Sequence, residues 1–227
     1  MHDPLAGSSW SAPSTVQGFS QSPPNTTLMD FAARELARVP HGRLIDIGCG
    51  AARNAIHLAR QGWEVLGVDL SRPMLDSAEM RAAAEAHPER LRFALAPMDT
   101  LPAADASFDL IVAHGIWNLA RSSAEFRRAV DEAARVAAPG AALFVLTFSR
   151  NTLPPDAQPV PGEDFVFTQF SGQPQCFLTR EQLIAELGHV GFELDAGVAF
   201  TEHNLPPPGA VQPMRVPVIY EASFRRA

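Results

Sequence analysis

The sequence predicts a doubly wound α/β domain, a mostly parallel, seven-stranded sheet with helices on both faces. Three observations carry this expectation. From residue 25 to 148, short apolar segments alternate with segments of helical periodicity. The apolar segments are nearly continuous in hydrophobicity, as strands covered on both faces are. A glycine-rich turn, Gly48-Cys49-Gly50, separates the first strand from the next helix, where sheets of this kind bind their ligands.

Taken in order, the first 24 residues are rich in Ser, Pro and Gly and show no sustained period, so residues 1–24 are expected to form an arm or lid. Asn25-Thr26-Thr27 supplies capping side chains, and Leu28, Phe31, Ala32 and Leu36 follow at helical spacing up to Pro40-His41-Gly42. Leu44 to Ile47 is the first strand. A helix from Asn54 to Gln61 follows and stops at Gly62. Trp63 to Val68 is the second strand, ending in Asp69. Ser71 then caps a helix that starts at Pro73 and runs towards Ala86. Leu91 to Leu95 and Phe108 to Ala113 give two more strands. Ser122 with Glu125 reads as a capping box for a helix reaching Val136, and Pro139-Gly140 turns the chain into the strand Ala142 to Phe148.

The rhythm then breaks. Residues 149–178 hold prolines, glycines and Phe165, Phe167 and Phe170, and are expected to form an insertion or lid over the substrate site. Thr179 with Gln182 caps another helix, Phe192 to about Phe200 is a sixth strand, and Val216 to Phe224 closes the sheet after the proline-rich stretch Pro206 to Pro213. Residues 25–227 are read as one domain.

Composition narrows the function classes. The 227 residues are 46% hydrophobic and 19% charged, a globular balance, and no apolar run approaches the roughly 20 residues of a membrane span. A formal charge of −7, with no cluster of Lys or Arg, disfavours nucleic acid as the main partner; Arg127-Arg128 and Arg225-Arg226 read as solvated surface. The start has no secretory pattern, and two distant cysteines give neither a disulfide framework nor metal-ligand spacing, so a cytoplasmic, metal-free protein is expected. The oligomeric state is left open.

The chemistry centres on Asp46-Ile47-Gly48-Cys49-Gly50-Ala51-Ala52-Arg53-Asn54. Glycines at a strand-to-helix junction let backbone approach a ligand closely. Asp69, with Leu70 beside it, ends the next strand 19 residues beyond Gly50, where a carboxylate can accept both hydroxyls of a ribose. Both features suit an adenosine-type ligand. A dinucleotide fingerprint needs a small residue where Arg53 stands, and Asp46 would repel a pyrophosphate but suits a cationic amino-acid group.

These residues resemble the class I S-adenosylmethionine-dependent methyltransferases over about residues 25 to 150. Asp46-x-Gly48-x-Gly50 looks like their first motif, Asp69 like their ribose-binding acid, and Met98-Asp99 like their adenine-binding position. Phe108 to Gly115 is similar to their fourth-strand motif. Ala52 stands where the family has a third glycine. The resemblance implies a Rossmann-like fold, S-adenosyl-L-methionine as cofactor and a small-molecule substrate. A narrower likeness, through Arg53-Asn54 and Pro24-Asn25, is to the tellurite-resistance and thiopurine methyltransferase-like group, which implies a soft sulfur, selenium or tellurium acceptor.

Each candidate has a plainer reading. Asp69 could be a strand-end surface acid, Asp105 could take the part given to Asp99, and Met74, set to cover an adenine face, could be core. Cys49 need only be small. Cys176 could touch a soft atom or be a buried apolar thiol. His57 reads as structural. His114, at the end of the fourth strand, is the candidate to line the cofactor site and accept a proton, with Trp117 and Asn118 after it as substrate contacts. Trp10, Phe19 and the insertion's phenylalanines could close the pocket, and Arg150 and His203-Asn204 could stand at its rim. Three other functions stay open: an NAD-dependent oxidoreductase, which Tyr220 as sole tyrosine disfavours, a non-catalytic cofactor-binding module, and an enzyme of this fold that uses the sulfonium for another reaction.

Overall fold

The computed structural model describes residues 3–39, 42–207 and 216–227. Its centre is a sheet of β1 (Arg43–Ile47), β2 (Glu64–Asp69), β3 (Leu91–Leu95), β4 (Phe108–His114), β5 (Ala137–Phe148), β8 (Phe192–Asp195), β9 (Thr201–His203) and β10 (Ile219–Arg226). The path is β3-β2-β1-β4-β5-β10-β8, parallel from β3 to β5, with β10 antiparallel to β5. Seven strands on this path match the expected number, and most of them are parallel, as expected. β9 makes an eighth, because the sixth strand is split: β8 lies along residues 223–226 of β10 and β9 along residues 219–221 of the same edge. At the break, Val198 N–H donates to the Ser223 hydroxyl, so a side chain replaces the ladder there.

Strand parity sorts the core into two layers. Leu44, Leu110, Val112, Ala142 and Phe144 pack with α2 (Thr26–Leu36) and α3 (Ala55–Gln61) and with Ala78 and Ala82 of α4 (Arg72–Ala82). Ile45, Ile47, Ile111, Ala113, Leu143 and Val145 face α5 (Ser123–Val136) and α6 (Arg180–His189). Trp63 is fully buried in the first layer, its indole N–H donating to Ala32 O at 3.3 Å. The same parity turns Asp46, His114 and Glu221 towards the α2 and α3 face, since each is an even step from a residue of that layer or an odd step from the other.

Several local expectations need correction. The arm is not irregular: Ser9–Ser11 is a 3₁₀ turn and α1 is Pro13–Gln21, with Pro13 at its first turn. Neither element has a buried residue, so neither adds to the core. α4 stops at Ala82, four residues before Ala86, and continues as turns. Ser122 caps α5 by accepting Glu125 N–H, but the Glu125 carboxylate accepts from Arg121 N–H, so the reciprocal half of the box is absent. The box at Thr179 and Gln182 is complete. Residues 149–178 carry a two-stranded ribbon, β6 (Val166–Phe167) and β7 (Gln175–Cys176), and an aromatic cluster of their own around Phe167 and Phe177. This segment is fastened to the start of α5 by Ser123 N–H on Glu163 and Asp164 N–H on the Ser123 hydroxyl. The expected proline-rich stretch lies mostly outside the described residues.

The arginine pairs are engaged in ion pairs, Arg127 with Asp164 and Glu186 and Arg225 with Glu35 and Asp195. Among the described residues no helix is long and apolar enough to cross a membrane, and no group of His, Cys, Asp and Glu could hold a metal ion.

Candidate active site

The turn after β1 is built by two left-handed glycines, Gly48 at φ 74° and Gly50 at φ 53°. A Cβ on Gly48 would stand 2.8 Å from Ile116, so only glycine fits between the turn and the loop after β4. The turn is locked to the end of β2. Gly50 N–H donates to one Asp69 oxygen at 2.9 Å and Ser71 N–H to the other at 2.8 Å. Burial raises the Asp69 pKa, and these backbone donors oppose the rise.

Ala52, at the family's third-glycine position, has φ 60° and is fully buried. A left-handed alanine costs about 1 kcal/mol or more relative to glycine. Ala52→Gly is therefore expected to raise stability by about that amount, less the backbone freedom glycine gains on unfolding. Urea unfolding of the two proteins measures it, and a destabilised glycine variant would contradict the strain.

A cavity of about 430 Å³ opens above this turn at the carboxyl ends of the strands. Of the sequence candidates, Gly48, Gly50, Asp69, Leu70, Met74, Met98 and His114 line it together. Leu5, Ser8, Trp10 and Phe19 line it too, from the N-terminal segment. That segment is pinned to the start of α4, with Asp3 accepting Arg72 N–H and the Ser11 hydroxyl 3.1 Å from that of Ser71. Phe19 lies over Gly50 and meets Trp10 edge-on at 6.0 Å. Residues 149–178 contribute Gln173 to the lining.

Asp46 sits beneath the turn, 1% exposed, with Oδ2 lacking any hydrogen-bond partner among the described residues. Burial raises its pKa to about 7; Arg53 pulls the other way, and Asp69 adds a smaller rise.

The other candidates stand elsewhere. Asn54 Oδ1 accepts Asn25 N–H at 3.0 Å, so it ties α2 to α3 rather than facing the cavity. Asp99 pairs with Arg128 and Asp105 with Arg135, both turned to α5. Trp117 and Asn118 are buried in the core, Trp117 edge-on to Phe126 at 6.0 Å. Arg150 donates to the carbonyls of Leu153, Pro154, Pro155 and Ala157 and stacks over Phe167, which clamps its own loop. Cys176 is fully buried with its thiol on Ala120 O, and burial pushes its pKa well up, as for an inert core thiol. Cys49 is likewise buried with a raised pKa.

Sequence reasoning missed a polar network around His114. The ring stacks on Phe144 at 6.5 Å, with Asn25 Nδ2 3.3 Å from its Nε2 and Arg53 Nη2 3.3 Å from its Nδ1. Burial and the Arg53 charge lower its pKa to about 4. Asn25 is held from both ends, its Oδ1 accepting Leu28 N–H and its Nδ2 donating to Glu221, which also contacts His203 at 3.0 Å. A lone carboxylate in the apolar run Val216 to Phe224 was the available signal for Glu221. A second cavity, about 450 Å³, adjoins the first through Phe19, His114 and Gly115 and is lined further by Thr15, Gly18, Ser22, Arg53 and Leu146.

Residues 45–145 match the family model of a methyltransferase domain. A ubiquinone/menaquinone biosynthesis C-methyltransferase of Geotalea daltonii is 31% identical over 123 residues, 52% of this chain and 51% of that protein. A norajmaline N-methyltransferase of Rauvolfia serpentina is 32% identical over 116 residues, 51% of this chain and 39% of its own length. The chain thus spans about half, or less, of the length of these relatives. A Burkholderia thailandensis 1,6-didemethyltoxoflavin-N1-methyltransferase, solved with bound 1,6-didemethyltoxoflavin and S-adenosylhomocysteine, superposes with a TM-score of 0.63 at 17% identity, over 88% of this chain and 78% of that one. The fold is that of the S-adenosylmethionine-dependent methyltransferases.

Proposed function

We propose that this protein is an S-adenosylmethionine-dependent methyltransferase that acts on a small molecule. The observation that carries the reading is the glycine turn Gly48 to Gly50 held to the Asp69 carboxylate at the floor of a cavity that continues into a second one. The residues fit the cofactor: Asp69 would take the ribose hydroxyls, Met74 and Met98 the adenine, and the glycine backbone the chain between. The buried, unpartnered Oδ2 of Asp46 fits a cationic amino group nearby. When bound, the sulfonium supplies an electrophilic methyl, and its C–S electron pair stays on sulfur as the acceptor's lone pair forms the new bond.

The protein's part is to align the acceptor and exclude water. Phe19 and Trp10 line the first cavity from the N-terminal segment, and Phe19 and Gly115 line both cavities. His114, held at about 4, is a neutral ring and a weak base at neutral pH, so its role here is to orient the acceptor rather than to remove a proton from a neutral one. Transfer to a soft sulfur, selenium or tellurium centre draws little from these residues, because Cys176 is outside both cavities and Asn54 is committed to Asn25. An NAD-dependent reaction is disfavoured likewise, since Tyr220 lies among Arg150, Thr179 and Phe200, away from both cavities.

Calorimetric titration with S-adenosylmethionine and, separately, NAD tests the reading. The expected result is binding of the sulfonium compound alone, and release of S-adenosylhomocysteine when an acceptor is supplied. Binding of NAD in its place would overturn it.

A further inference from the structure

We infer that the cavity between Arg53 and His114 receives the acceptor as an anion, with an ionised aryl or enol oxygen seated against the Arg53 guanidinium. The inference rests on the methyl-transfer reading of the adjoining cleft and names the substrate class for it.

The Arg53 side chain is half-buried and makes no ion pair with any described residue; its one firm contact besides His114 is the Pro23 carbonyl at 3.4 Å. A partly desolvated cation at a cavity wall is a recognition element for an anion. Asp46 acts on it through space but, at a pKa of about 7, carries only part of a charge at neutral pH. Both Glu221 oxygens are already engaged, by Asn25 and His203.

The imidazole sharpens the case. Donors stand 3.3 Å from both of its nitrogens, Asn25 Nδ2 at Nε2 and Arg53 Nη2 at Nδ1. A neutral imidazole has one lone pair and one N–H, so it can satisfy only one of them. The Asn25 amide cannot be turned to help, because Leu28 N–H needs its oxygen and Glu221 its nitrogen. With Nε2 accepting from Asn25, the Nδ1–H and the Arg53 guanidinium are adjacent donors on one wall, and an anionic oxygen satisfies both. An acceptor that arrives ionised also leaves no proton to be removed, which suits a site whose nearest imidazole is a weak base.

The test uses 4-nitrophenol, which ionises near neutral pH and whose phenolate is visible by absorbance. It is titrated across pH with the full chain, with and without saturating S-adenosylhomocysteine. The expected result is preferential binding of the phenolate, so that the ionisation midpoint of the bound dye moves down. Arg53→Met should weaken phenolate binding by about tenfold or more, Arg53→Lys should restore part of it, and S-adenosylhomocysteine should bind both variants within about threefold of wild type. That retained binding also reports that the variants are folded. Equal phenolate binding by Arg53→Met, or a preference for the neutral phenol, would overturn the inference. A parallel loss of S-adenosylhomocysteine affinity would overturn it too, by assigning Arg53 to the cofactor's carboxylate. If wild type fails to bind S-adenosylhomocysteine, the methyl-transfer reading fails, and the dye titration on the protein alone still decides the anion site.

Discussion

Asp69→Ala is expected to weaken S-adenosylmethionine binding by about a hundredfold or more, the scale of losing two charge-assisted hydrogen bonds. The carboxylate does two jobs that alanine cannot share. It holds the Gly50 and Ser71 N–H groups at 2.9 and 2.8 Å, fixing the turn and the start of α4, and it faces the cavity where the ribose is proposed to sit. Asp69→Asn keeps the shape and one acceptor oxygen, so it should fall between wild type and alanine. Calorimetry on the three proteins measures the series. Thermal melting should separate binding from folding, because the lost backbone contacts are partly offset by removal of a carboxylate that burial disfavours. Alanine binding within a few-fold of wild type would remove Asp69 from the proposed site.

Asp46→Asn is expected to stabilise the ligand-free protein above neutral pH and to weaken the cofactor. The folded-state pKa is raised to about 7 from 3.8, so the native state keeps a proton that the unfolded chain gives up in between. The wild-type protein therefore loses stability from this group as pH rises through that window, and asparagine, of the same shape and never charged, does not. From about pH 5 to about pH 8 the variant should gain on the order of 2 to 3 kcal/mol over wild type. The lowered His114 pKa acts the opposite way, giving stability that is present above the ordinary imidazole range and lost as pH falls towards 4. It acts alike in both proteins and cancels in the comparison. S-adenosylmethionine affinity should fall about tenfold or more in the variant, as Asp46 supplies the proposed partner for the amino group. Urea unfolding at the two pH values, with calorimetry beside it, checks both halves. Parallel stability curves would show that Asp46 ionises in the folded protein as it does in the unfolded chain, without the rise that burial gives it.

The doubly wound, mostly parallel sheet, the helices on both its faces and the glycine turn could be read from the sequence, because near-continuous apolar strands, capping side chains and Gly48-Cys49-Gly50 are local signals whose meaning hardly depends on the rest of the chain. Asp69 was legible for the same reason. Its position at a strand end is fixed by hydrogen bonds to residues close in the pattern.

What the sequence could not determine is where long polar side chains go once the layers close. Arg150 turned back onto its own loop carbonyls, Asp99 went to Arg128, and Asn54 to the backbone of Asn25, each choice made by a partner 3 to 29 positions away. The N-terminal segment buries no residue in either of its helical elements, and takes its place from the Ser11 contact with Ser71 at the start of α4 and from Phe19 over Gly50. Arg53, His114, Asn25 and Glu221 meet only because strand parity turns the residues of β4 and β10 to one face, the turn before α3 brings Arg53 there and the cap of α2 delivers an amide, joining positions separated by up to 196 residues. The sequence by itself determined the fold and the glycine turn, through short-range hydrogen bonding and burial; the polar network around His114 was decided by tertiary packing, because desolvated charges are placed by whichever distant partners the closed sheet leaves within reach.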